Sequence, residues 1–147
     1  MATSDRSHFD QYREQTQAKH TIVEKYIKVY FSIVKKSDKN LVYLDGFAGR
    51  SSYTGENGER VDGSPLRALR AIASSRDLAT HVTTIFIEQD REYCDALQTA
   101  VSEFYNKNPG IREPLVVPGT FPAVVTDLLD RIGGKLAPTF VFADPCG

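Results

Sequence analysis

Apolar and polar positions alternate along this chain with two different periods, and the switch between them divides it into elements. Ile22, Val23, Tyr26, Ile27, Tyr30, Phe31 and Val34 recur at spacings of three and four, which predicts a helix from Lys19 onward with those side chains on its inner face. A charged turn over residues 35–40 follows, and then the run Leu41-Val42-Tyr43-Leu44, which stops on Asp45 and reads as a buried strand. Leu66, Leu69, Ile72 and Ala73 give a helical stripe after Ser64-Pro65, a helix-start signal, and carry the helix to about Ser75. Val82 to Ile87 is almost wholly apolar or β-branched, as in a strand covered on both faces, and it stops on Glu88. Gln89 or Asp90 opens a helix with Tyr93, Leu97, Ala100, Val101 and Phe104 inward, closed by turn residues 106–110. A short strand at 115–117, a helix with Val125, Leu128, Leu129 and Ile132 inward that ends at Gly133-Gly134, and a strand at 139–143 complete the pattern.

Apolar strands alternating with helices predict an α/β domain, a Rossmann-like parallel sheet of four strands (41–45, 82–88, 115–117 and 139–143) with helices on both faces. Ligands of such sheets sit outside the carboxyl ends of the strands. Three of the four strands meet a carboxylate there, Asp45, Glu88 and Asp144, and together these form a candidate site. Gly46 and Gly49 follow Asp45, so backbone N–H groups can come close to a ligand at that turn; a plain strand-to-loop connection satisfies the same pattern. Asp45 and Asp144 also suit ordinary turn capping, and Glu88 a solvated position before a helix. Residues 50–63 carry Gly55, Gly58 and Gly63 but no hydrophobic period, and read as a functional loop that closes over the site.

Composition narrows the functional classes. The 147 residues make one domain at most, here 18–147 after a loose polar arm at 1–17. Eighteen basic and nineteen acidic residues give a net charge of −1, so any nucleic-acid contact rests on a local patch. No apolar run approaches the roughly 18 residues of a membrane span, and the N-terminus lacks a signal-like apolar stretch, which makes the cytoplasm the expected compartment. Cys94 and Cys146 have no metal-binding spacing and the three histidines are scattered, so no metal site is expected. The glycines do not fit G-x-G-x-x-G, nor is there a G-x-x-x-x-G-K-[ST] phosphate loop.

Asp45-Gly46-Phe47-Ala48-Gly49, Gly63-Ser64-Pro65-Leu66, Phe86-Ile87-Glu88 and Phe142-Ala143-Asp144-Pro145-Cys146-Gly147, in this order and spacing, resemble the three-Cys-motif partner (TcmP) family, a group similar to class I S-adenosylmethionine-dependent methyltransferases. The resemblance covers the chain from about residue 16 onward and includes the helix bearing Tyr26. It implies that Asp45, Gly46, Phe47, Ala48 and Gly49 lie against the methionine part of S-adenosylmethionine and that Glu88 bonds the ribose hydroxyls. It also implies that Gly119 and Thr120 reach the adenine edge, and that Asp144 and Pro145 stand beside the methyl donor as the catalytic motif. Methylases that act on nucleic-acid amino groups often carry Pro-Pro-aromatic at that last position. This chain has Pro145-Cys146-Gly147 instead, so amino-group methylation is not what the motif supports. The acceptor implied is otherwise open, with nucleic acid among the classes, and the implied partner is a three-Cys-motif protein. The chain ends after the fourth-strand motif, where the family's sheet continues. The sequence alone therefore leads to an incomplete domain that is inactive by itself and self-associates through an open sheet edge. The alternative is a non-catalytic subunit that keeps the fold and works through its partner.

Overall fold

Each apolar run becomes a strand because a parallel sheet covered on both faces buries side chains in both directions of the pleat. The computed structural model describes residues 18, 21–34, 40–54, 57–131, 133 and 137–144. The arm at 1–17, most of the charged turn at 35–40, Gly55, Ile132, Gly134 and the motif residues Pro145 to Gly147 lie outside them. Helix α1 (21–34) leads to β1 (Leu41–Asp45), a hairpin of β2 (Ser52–Thr54) and β3 (Arg60–Asp62), and helices α2 (Ser64–Ala73) and α3 (Arg76–His81). Then come β4 (Val82–Glu88), α4 (Arg91–Lys107), β5 (Leu115–Pro118), α5 (Phe121–Arg131) and β6 (Thr139–Phe142).

The four long-range strands form one parallel sheet in the order β5-β4-β1-β6, so the expected fold is observed. Its register sets Asp45 level with Phe86 and Phe142, and Glu88 level with Pro118. Alternation then fixes the two faces. Leu41, Tyr43, Val82 and Phe86 meet the inner residues of α1, α2, α3 and α4 in the larger core, where Phe140 also packs. Leu44, Ile85 and Ile87 meet Val124 of α5 on the opposite face. No helix among the described residues is long and apolar enough to cross a membrane.

Four local readings need correction. Residues 50–63 are not a structureless loop. Tyr53 sits opposite Val61 in the antiparallel hairpin, and Gly63 N–H donates to Ser51 O at 2.8 Å to close it. Strands of three residues are too short to display a period, which is why the pattern hid them. The six-residue α3 was also missed, since no glycine or proline separates it from α2; Ser75 caps it by accepting from Leu78 N–H. Ser64 does not cap α2. Gly63 holds that position, and the serine hydroxyl turns toward Asp45 instead. Finally, Val23, Ile27 and Phe31 of α1 are buried, but Ile22 and Tyr26 face outward. A helix advances 100° per residue, and this one is apolar around more of its circumference than the fold covers.

Candidate functional site

Asp45 and Glu88 reach the carboxyl edge of adjacent strands, and the turn after β1 is woven between them. Four successive main-chain N–H groups are committed there. Gly46 donates to Phe142 O at 2.9 Å, Phe47 to Asp45 Oδ1 at 3.2 Å, Ala48 to Ile87 O at 2.9 Å and Gly49 to Glu88 Oε2 at 2.7 Å. The turn is therefore stitched to the ends of β6 and β4, and those four amides are not open donors for a ligand. Gly49 has φ of +66°, a left-handed conformation that a side chain would strain, and this aims its N–H at Glu88. Gly46 serves packing: a Cβ there would lie 2.5 Å from the ring of Phe121, which also tilts against Phe47 with centroids 5.6 Å apart.

The two carboxylates divide the work. Asp45 is 0% exposed and accepts from Phe47 N–H and from Ser64 Oγ at 3.0 Å, so it organises the turn and the start of α2 from beneath. Burial pushes its carboxyl up from 3.8 to about 7; the Ser64 and Phe47 hydrogen bonds oppose this, while the charges of Glu88 and Asp144 add to it. Glu88 is 8% exposed and accepts one N–H on each oxygen, from Gly49 on Oε2 and from Asp90 at 2.9 Å on Oε1. Among the described residues neither carboxylate carries an ion pair. A carboxylate has about four lone-pair positions, so each Glu88 oxygen keeps capacity for one further donor. Two donors side by side, such as vicinal hydroxyls, match that arrangement.

The other expected residues fall around this pair. Asp144 lies just past β6, half-buried, and its charge is felt at Asp45. Gly119 N–H donates to Glu88 O at 3.0 Å, placing the turn after β5 beside the same strand end; Thr120 is exposed there and its carbonyl accepts from Val124 N–H of α5. Pro145 lies outside the described residues. Ser64 and Phe121 are site residues that the sequence reading did not single out. A serine before Pro65 looks like a helix cap, and an aromatic at the start of a helix looks like core. Among the described residues no group of three or more His, Cys, Asp or Glu side chains is placed to hold a metal ion. A cavity of about 620 Å³ lies elsewhere, between the hairpin, α2 and α4. Two of the cations that line it are paired, Arg67 with Glu24 and Arg70 with Asp62.

The residue that leads into the hairpin is fastened to α4. Arg50 donates to Tyr93 Oη at 2.8 Å and its guanidinium lies 5.0 Å from the centre of that ring. An exposed pairing of this type contributes about 0.5–1 kcal/mol. Arg50→Ala is accordingly expected to speed amide exchange in the hairpin by about two- to five-fold, from the same energy range. Exchange unchanged in the variant would show that the hairpin is held by its other contacts alone.

A parallel sheet with β1 in its interior and helices on its two faces defines a Rossmann-like α/β domain, with a glycine turn and an acidic residue forming the candidate site at adjacent strand ends. No protein-family model, no curated protein and no solved structure matches the chain.

Proposed function

We propose that this chain is an S-adenosylmethionine-binding domain of the methyltransferase type, related to the three-Cys-motif partner family, whose cofactor lies across the ends of β1 and β4. The observation that carries this reading is Glu88. Its two oxygens are each anchored by one main-chain N–H and each retain acceptor capacity, which suits the two ribose hydroxyls of the cofactor. The Gly46–Gly49 turn would meet the methionine part through its Cα surface, because its N–H groups are already committed. Gly119 and Thr120 would border the adenine.

When bound, the cofactor supplies an electrophilic methyl group on a sulfonium. The chain's own residues hold and orient. Asp45 fixes the turn, Glu88 holds the sugar, and Asp144, with Pro145 next to it, is the candidate for orienting the methyl acceptor. Nucleic acid is one acceptor class within this proposal, and a three-Cys-motif protein is the proposed partner.

Glu88→Ala tests the reading. Loss of hydrogen bonds to a charged group costs about 1.5–3 kcal/mol, so affinity for S-adenosylhomocysteine is expected to fall by about 10- to 150-fold in calorimetric titration. Equal affinity in parent and variant would remove Glu88, and with it the proposed site.

A further inference from the structure

The cleft of about 620 Å³ between the hairpin, α2 and α4 falls within the size range of small-molecule sites. It is separate from the strand-end carboxylates. Its α4 wall runs from Ala100 to Asn108, and Ala100 stands ten residues, about 15 Å of helix, beyond Asp90. Leu66 and Ala100, both buried, and the half-buried Val61 and Phe104 give the cleft an apolar floor. Arg60, Arg67, Arg70 and Lys107 stand around that floor with Glu24, Asp62 and Glu103, so cations outnumber carboxylates by four to three.

Arg67 is the residue that points to a ligand. Its side chain is only 24% exposed, yet among the described residues its guanidinium makes one hydrogen bond, from Nε to Asp62 O at 3.3 Å. Glu24 Oε1 stands 3.8 Å from Nη1, an ion pair beyond hydrogen-bond length. The N–H groups on Nη1 and Nη2 are thus unspent, and neither nitrogen is sealed from solvent. With Nε held by the main chain, the outer end of the guanidinium presents parallel donors that match the two oxygens of a carboxylate. The other groups leave that role to it. Asp62 pairs with Arg70, while Arg60 and Lys107 are exposed and carry no ion pair among the described residues.

We propose that this cleft binds a small aromatic carboxylate, with its ring on Leu66 and Phe104 and its carboxylate on Nη1 and Nη2 of Arg67. One negative charge evens the balance of the lining. A polyanion such as nucleic acid would meet the three carboxylates at close range, and a cation would meet the four basic groups. Phe104 gives a flat ring an aromatic partner on the floor. This site neither uses the proposed cofactor site nor depends on it.

The test is a fluorescence titration of the full chain with 2-naphthoate and with 2-naphthamide, which keeps the rings and lacks the charge. The chain contains no tryptophan, so the naphthalene emission is read without overlap. Saturable binding of the naphthoate, about ten-fold or more tighter than of the amide, is expected from hydrogen bonds between two charged groups. Arg67→Gln is expected to remove that preference and leave the affinity for the amide unchanged. Arg60→Gln, at an exposed position, is expected to weaken the naphthoate about two- to three-fold with thermal unfolding unaltered, which keeps a reading even if Arg67→Gln loosens the hairpin. Equal affinity for acid and amide, no saturable binding of the naphthoate, or full-strength binding in both variants would overturn the proposal.

Discussion

Replacing Asp45 by Asn is expected to flatten a fall in stability that the parent chain shows between about pH 4 and pH 7. The buried carboxyl has its pKa raised from 3.8 to about 7, chiefly by desolvation. Between those values the folded chain holds a proton that the unfolded chain has released, so stability decreases as the pH rises and levels off above about 7. The separation of the two values corresponds to ~4 kcal/mol as an upper figure. Asn keeps the size and an acceptor for Phe47 N–H but carries no titrating group. Urea unfolding at pH 4, 5.5 and 8 reads the difference. The parent is expected to lose stability across the series, and the variant to hold level in that window and to exceed the parent at pH 8. The same slope in both proteins would mean that Asp45 is ionised in the folded state throughout.

Gly63→Ala is expected to be the most disruptive single substitution outside the core. An added Cβ would sit 2.1 Å from Arg50 O, 3.2 Å from Arg50 C and 3.3 Å from Ser51 O, all main-chain atoms that no rotamer change can move. The conformation is not the obstacle, since φ of −77° is open to any residue. The obstacle is the hairpin crossing over the start of α2, where Gly63 N–H also holds Ser51 O. Overpacking of this kind costs about 3 kcal/mol, and the hairpin should detach in the process. Gly58→Ala provides the contrast: φ is +76° with open space around it, so only the backbone term of about 1 kcal/mol applies. A Gly63→Ala variant with an unshifted urea midpoint would show that the hairpin has another position of equal energy.

The strands and the edge where the carboxylates gather were legible because burial on both faces leaves continuous apolar runs, and because Asp45, Glu88 and Asp144 interrupt those runs at their ends. Other features were not, each for its own reason. The hairpin hides in strands of three residues, where Tyr53 and Val61 are the one apolar pair among the three that face each other. The committed N–H groups of the turn depend on where Ile87 O and Phe142 O arrive from other strands, which a linear reading does not contain. Ser64 looked like a cap because a serine before proline usually is one, yet a buried carboxylate within 3.0 Å is the stronger acceptor for its hydroxyl. On α1, periodicity separates apolar from polar positions but cannot say which apolar positions the rest of the fold covers.

The central claim is that Glu88 recognises a pair of sugar hydroxyls. Its most direct test is a titration of the unmodified chain with S-adenosylhomocysteine and with the analogue that lacks both ribose hydroxyls. Saturable binding of the first, at least ten-fold tighter than of the second, is the predicted result, because each lost hydrogen bond to the carboxylate removes roughly 1.5 kcal/mol or more. Equal affinity for the two, or no binding of either, would contradict it.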